Sequence, residues 1–357
     1  YATITGNDPV GLSHSTSLSN GLVLELQQAA AATVFNETSH LDYPWQTNSG
    51  GGGNSPSITI PANQKVAWES AISIGGSGND FALDIQVSPT GNVFILGVSS
   101  DDIFISASCS VVHNQTLGNP MPFIVKFDRN GTCIWSASVD VVNPNQNALT
   151  HNTNYGKITI DSNENVYLAL SYYSTNVYAT TLLFGDISYP MGGNWNNILS
   201  KLDYDGSWEW AVTLPTQSPG YSNDPSAVTI DSNNNLWVLY HTGNSNQMQL
   251  SKYNTSGVLQ TSSAIVGDGN SVVYGYDLDT DSFGNVYVAG SYSGSITFTL
   301  KNGTSRNLGC SGCWTSFIAK YDTNASVLWV TEAASSTSSS HAKNLEVFGD
   351  DEIFVVG

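Results

Sequence analysis

"DSFGNVYVAG" occupies residues 281–290, and close variants recur: "PTGNVFILG" at 89–97, "DSNENVYLAL" at 161–170, "DSNNNLWVLY" at 231–240 and "DDEIFVVG" at 350–357. Aligned on Asn92, Asn165, Asn235, Asn285 and Glu352, each phrase is preceded at one fixed distance by an aliphatic residue: Ile85, Ile158, Val228, Leu278 and Leu345. Around that residue the chain alternates, as in "LDIQV" (83–87), "KITI" (157–160) and "YDLDT" (276–280). Alternation marks a half-buried strand. The Asp, Ser, Asn and Gly that follow tolerate left-handed backbone angles. An aromatic or β-branched run comes next. Strand, tight turn and strand make a hairpin.

A second phrase follows each of the first four: "FIVKFDRNGTCIW" (123–135), "ILSKLDYDGSWEW" (198–210), "QLSKYNTSGVLQT" (249–261) and "FIAKYDTNASVLW" (317–329). Its skeleton is Lys, Asp, Gly and Trp at fixed spacing, which reads as another hairpin. Lys126, Lys201, Lys252 and Lys320 recur at one position, and only ten Lys and Arg are present in all. A recurring lysine is expected to pack its stem on a neighbouring strand and to place its amine on a carboxylate or carbonyl.

Each unit therefore has four strands, and units of this size repeated every roughly 50 to 70 residues read as propeller blades. The fold class is all-β, with four recognisable blades and the start of a fifth. Trp135, Trp210 and Trp329 are expected to pack between blades, since one such sheet cannot cover its own faces. Insertions between strands two and three, at about 98–122, 171–197 and 291–316, are expected to gather on one rim. The pattern "GNVYVAG … FIAKYD … W" resembles the seven-bladed beta-propeller repeat (SBBP-type) of large secreted and cell-surface proteins, over roughly residues 66–357. It departs from that repeat where Asn254 and Thr261 replace Asp and Trp, and where Ala325 replaces Gly. The Asp-X-X-Gly-X-X-X-Trp element also resembles a turn of quinoprotein-dehydrogenase propellers, without supplying cofactor residues.

Residues 61–357 are assigned to the propeller and 1–60 to a leader ending in a Gly-rich hinge, "NSGGGGNSPS" (48–57). Trp68 reads as a fourth strand and 344–357 as a first and second, so the early strand is expected to tie the ends of a closed ring. The chain reads as a fragment, since "EIFVVG" stops in mid-strand and no signal-peptide pattern stands at Tyr1.

Of 357 residues only 11% are charged, against a usual ~25%, and the net charge is −19. That acidity argues against nucleic-acid or anionic-membrane partners. No apolar run is long enough to span a bilayer. The four cysteines allow three connectivities. Cys109 and Cys133 flank one strand and Cys310 and Cys313 share one insertion, so local pairing in an oxidising compartment is expected. Asn-X-Ser/Thr sites stand at Asn36, Asn114, Asn130, Asn254, Asn302 and Asn324.

Motifs of chemistry are few. No histidine pair has metal-ligand spacing, and neither a G-x-S-x-G elbow nor a P-loop occurs. Asp277, Asp279 and Asp281 alternate along an innermost strand, with Asp84 and Glu346 at matching positions elsewhere. Such carboxylates suit Ca²⁺, or they bond neighbouring amides, cap turns or meet the lysines. Tyr189, Trp195 and Trp314 lie in the insertions, where they would stack on a ligand such as a sugar, bury under a partner protein or pack on their own blade.

The expectation is a non-enzymatic glycoprotein of an extracellular, cell or virion surface. Its propeller would be a spacer and an adhesion or filament-assembly module, partnered by other copies or other surface proteins. A carbohydrate-binding module or glycan-active enzyme is the alternative. Residues 1–60 are expected to contribute a major inter-subunit contact.

Overall fold

The computed structural model describes residues 70–357 except 77, 107–108, 113–120, 143–151, 174–180, 192–194, 216–224, 243–246, 269–270, 333–338 and 350–351, together with the strands Gly6–Asn7, Ser13–His14 and Leu22–Leu26. Asn36, Asn114, Trp68, the hinge and the expected boundary after residue 60 lie outside the described residues. The chain divides into two compact units, residues 23–73 and residues 74–357 with 1–22. The apolar "LVLEL" forms the strand Leu22–Leu26, which pairs with Ser70–Ile74.

The larger unit is all-β, a propeller-type series of antiparallel sheets. The first sheet runs Asp80–Val87, Val93–Ser99, Met121–Phe127 and Cys133–Val142, each strand bonded to the next. The second runs Asn152–Ile160, Val166–Tyr173, Trp195–Leu202 and Trp208–Thr213. The third is Pro225–Ile230, Asn235–His241, Gln247–Asn254 and Leu259–Gly267; the fourth is Val272–Thr280, Val286–Thr299, Ser305–Tyr321 and Val327–Glu332. Asn344–Phe348 and Glu352–Val356 form a fifth hairpin.

Second strands form the centre of each sheet. Val93–Ser99 is buried at every residue, and Tyr167, Trp237 and Tyr287 are closed off from solvent. The hydrophobic clusters straddle successive sheets: Phe94 and Leu96 share one with Ile158, and Tyr167 and Ala169 one with Val228. Trp237 and Leu239 share one with Leu278, and Tyr287 and Ala289 one with Leu345. From Ile158 onward, the aliphatic that precedes the sequence phrase is thus the residue on which the previous blade rests.

The insertions differ from free rim loops. In the second blade, Thr181–Phe184 pairs with Val139–Val142 on the outer strand of the first blade. In the fourth, Ile296 and Thr297 pair with Gly267 and Val266 on the outer strand of the third. Both reach back and lengthen the preceding sheet by an edge strand.

Candidate functional site

Most of the hairpin turns are built on one device. Asp128, Asp161, Asp203, Asp231, Asn254, Asp281 and Asp322 each open a turn, and each accepts through Oδ1 from the backbone N–H groups two and four residues on. The third residue after each takes a left-handed backbone, glycine at most positions but Glu164, Asn234 and Ala325 at three. This is a type I turn with a bulge. It also explains why Asn254 can stand for Asp, since an amide oxygen accepts the same bonds.

The four lysines stand opposite the aromatic of the second strand: Phe94↔Lys126, Tyr167↔Lys201, Trp237↔Lys252 and Tyr287↔Lys320. Each ammonium lies over that ring, 5.2, 5.7, 5.2 and 4.6 Å from its centre. The opposite charges vary. Lys320 meets Asp281 at 3.0 Å, Lys201 meets Glu209 at 2.6 Å, and Lys252 donates to the Thr323 carbonyl of the next blade at 2.9 Å. The first blade has Ser88 where the others have the turn aspartate, and Lys126 instead pairs at 2.8 Å with Glu164 from the second blade. Burial alone would raise the Glu164 carboxyl, but bonds from Lys126, Thr90 and Asn92 bring it down to about 2. Lys126 and Lys252 thus bond across a blade interface, while Lys201 and Lys320 pair within their own blade.

The tryptophans lock successive blades. Trp135 Nε1 donates to the Tyr204 carbonyl at 2.9 Å and Trp210 Nε1 to the Thr255 carbonyl at 3.1 Å, each in the third-to-fourth-strand turn of the next blade. That turn's glycine lies against the indole. A Cβ on Gly206 would come within 2.7 Å of Trp135, and one on Gly257 within 3.1 Å of Trp210. In the third blade Thr261 stands where the tryptophan would be, and the fourth blade has Ala325, buried and left-handed (φ 62°), where the others have glycine. By position, Ala325 is the residue that an indole at 261 would face, as Gly206 faces Trp135 and Gly257 faces Trp210.

The innermost carboxylates act between blades too. Ile158 N–H donates to Asp84 Oδ2 at 2.9 Å, Leu345 N–H to Asp277 Oδ2 at 2.8 Å, and Val347 N–H to Asp279 Oδ2 at 2.8 Å. Asp281 lies past the strand end, in the turn with Asn285 and Lys320. The structure therefore does not gather Asp277, Asp279 and Asp281 around one point, and among the described residues no His, Cys, Asp or Glu cluster suits a metal. Burial pushes Asp277 up to about 6 and also raises Asp84 and Asp279, whereas Asp281 is lowered by Asn285 and Lys320 against the effect of burial.

The insertion aromatics part company. Tyr189 is buried, bonds Thr213 Oγ1 at 2.6 Å and meets Phe184 edge-on, so of the three readings open to it the structure favours packing on its own blade over a ligand contact. The backward pairing of its hairpin is the reason. Trp195 pairs with Tyr173 in the sheet. Trp314 leaves a bulge closed by the Cys310–Cys313 disulfide, stacks on Tyr274 at 5.4 Å and lies beside His341. His341 Nδ1 shares hydrogen bonds with Ser291 Oγ (3.0 Å) and Tyr276 OH (3.3 Å), and Lys343 Nζ lies 3.5 Å over the Tyr276 ring. Burial lowers the nearby His241, edge-on to Tyr274, to about 4. Of this group only Trp314 was singled out in sequence; the one available signal was "YGY" (274–276), which puts two tyrosines on one strand face. The other disulfide, Cys109–Cys133, ties the first insertion to its own outer strand. Asn130, Asn302 and Asn324 are exposed in turns, and Asn254 opens one.

These features define an all-β propeller-type repeat protein. No protein-family model matches the chain. An uncharacterised WD repeat-containing protein of Acanthamoeba polyphaga mimivirus is 24% identical over 288 residues, which is 76% of this chain and 17% of that protein. Among solved structures, a Bacteroides caccae protein of unknown function is similar over 73% of this chain and 84% of its own (8% identity, TM-score 0.35). A quinoprotein alcohol dehydrogenase-like protein of Bacteroides thetaiotaomicron is similar over 73% and 68% (14% identity, TM-score 0.28).

Proposed function

We propose that the protein is a non-catalytic structural module of an extracellular, cell or virion surface, a rigid spacer that associates with copies of itself. The observation that carries this reading is where its polar and aromatic residues are engaged. The recurring Lys, Asp and Trp side chains bond the turn or strand of their own or the adjacent blade. A chain that commits its scarce charges to blade contacts is suited to holding shape. The two disulfides and the Asn-, Ser- and Thr-rich surface fit an oxidising, solvated setting. The resemblance to SBBP-type surface repeats points the same way. Trp314, the aromatic best placed for a sugar, is already engaged by Tyr274 and His341 of its own chain.

Secretion from a eukaryotic host tests the reading. Peptide mapping is expected to find both disulfides and glycan on Asn130, Asn302 or Asn324, and electron microscopy to find assemblies. Free thiols, bare asparagines and lone particles together would sink it.

A further inference from the structure

In the second, third and fourth blades the turn between first and second strands begins with an aspartate and ends with an asparagine: Asp161 and Asn165, Asp231 and Asn235, Asp281 and Asn285. Each asparagine donates its side-chain Nδ2 to the aspartate's Oδ2, at 2.7, 3.0 and 2.8 Å. The fourth blade adds a third group. Lys320, paired across the sheet with Tyr287, brings its Nζ to 3.0 Å from the same Asp281 Oδ2. Asn285 stands two residues before Tyr287, which makes it a diagonal neighbour of Lys320, within reach of a long side chain. One carboxylate oxygen thus holds an amine and a carboxamide side by side. The Tyr287 ring lies 4.6 Å from that amine, and its hydroxyl 3.4 Å from the oxygen. The Asp281 side chain is 0% exposed and that of Lys320 14%. Among the described residues no other blade assembles all three. Lys201 meets Glu209, Lys252 meets the Thr323 carbonyl, and the first blade has Ser88 in place of the aspartate.

We propose that Lys320 and Asn285 condense into an isopeptide bond, with Asp281 as the proton carrier. Asp281 takes a proton from Lys320 Nζ, and the freed amine adds to Asn285 Cγ. The bond from Nζ to Cγ forms as the bond from Cγ to Nδ2 breaks. One ammonium proton of Lys320 stays on the new amide, and the other two leave through Asp281 with Nδ2, as ammonium ion. Nothing is oxidised or reduced, and Asp281 ends as it began. Burial opposes both charges, yet bonds from Asn285 and Lys320 lower Asp281, and those to Tyr287 and Asp281 raise Lys320. The resting pair is therefore ionic, the free amine is a minor species, and the bond forms slowly and once. Folding supplies the drive by holding the reacting groups on one oxygen, which makes the step unimolecular. Burial keeps water from competing with the amine for Cγ. The product ties the second strand of the blade to the third. It needs neither a partner nor an oxidising compartment, so it stands or falls apart from the surface reading above.

In the test the full chain is produced in a bacterial cytosol, reduced, unfolded and weighed. The parent is expected to be lighter than its translated sequence by one ammonia. A tryptic digest is expected to hold one branched peptide joining Asn285 to Lys320, uncut after Lys320. Asp281→Asn and Lys320→Arg are expected to show the full sequence mass. An amide already opens the matching third-to-fourth-strand turn at Asn254, and arginine keeps a cation near Tyr287 while staying protonated. A parent of full sequence mass overturns the bond whatever the variants do. Loss of one water, with Lys320 joined to Asp281, overturns Asn285 as the acyl donor. A branched peptide that persists in Asp281→Asn overturns the proton carrier. An ammonia loss confined to an unbranched peptide, as from a succinimide at Asn130 or Asn302, overturns the proposal as well.

Discussion

The first-to-second and third-to-fourth blade interfaces answer the same requirement with different residues. In the first pair an indole, Trp135, sits on Gly206, and a charge borrowed across the interface, Glu164, meets Lys126. In the second pair Thr261 takes the place of the indole, Ala325 the place of the glycine, and Lys252 finds only a carbonyl, that of Thr323. The comparison teaches that the unit of the repeat is the interface between blades. A departure in one blade is therefore read together with the corresponding position of the next.

The largest expected effects break the Trp–Gly side of this comparison. Gly206→Ala puts a methyl 2.7 Å from Trp135 at φ 84°, so overpacking and left-handed strain add to roughly 2–4 kcal/mol of lost stability. Ala325→Gly is expected to stay within about 1 kcal/mol of the parent, since relief of left-handed strain offsets the lost methyl burial. Thr261→Trp should destabilise alone and recover when combined with Ala325→Gly. Urea unfolding of the four-member cycle gives the coupling energy, and a value near zero would show that Thr261 and Ala325 are unrelated.

The charges come next. Lys126→Met leaves Glu164 partly buried without its cation and should cost about 2–4 kcal/mol, with Glu164→Gln restoring much of it. Lys252→Met removes one bond to a carbonyl and a contact with the Trp237 ring, for about 1 kcal/mol. Equal costs in denaturant titrations would mean that the borrowed carboxylate adds nothing.

Much of this was legible in the chain. The alternating runs and turn residues predict every hairpin of the blades, because period and turn chemistry are local. The lysine and tryptophan positions predict contacts, because a scarce residue recurring in register needs a common partner. The partners themselves were not legible. Glu164 is read locally as one more turn residue, and its meeting with Lys126 depends on how two blades stack. Thr261 and Ala325 look like separate defects until the Trp135–Gly206 and Trp210–Gly257 approaches show that the two positions correspond. The backward pairing of the insertions leaves no periodic mark, so the sequence leaves Tyr189 open between a ligand, a partner and its own blade, where the structure buries it. Alternation correctly put Asp277 and Asp279 on one face, but it could not tell an ion from a backbone amide as their partner.

The smallest expected effects concern pH, and here the two ends of the blade series should respond with opposite sign. Glu164 is depressed to about 2 in the folded chain, so its contribution is present above its ordinary range and is lost as pH falls through acid toward 2. Asp277 is raised to about 6 by burial, so the folded chain holds a proton there that the unfolded chain has released. Its penalty grows as pH rises from about 4 to 6 and is absent below that window. The shift sets a ceiling of roughly 3 kcal/mol, and partial solvent screening brings the expected value nearer 1. Asp277→Asn keeps an acceptor for the Leu345 N–H and removes the charge. It should raise the melting temperature by a few degrees near pH 8 and change little near pH 4. Scanning calorimetry across that range, with and without calcium and a chelator, decides the matter. If Asp277 held Ca²⁺ instead, both the chelator and the substitution would lower the melting temperature at pH 8, the reverse of the sign expected from a carboxylate whose partner is a backbone amide.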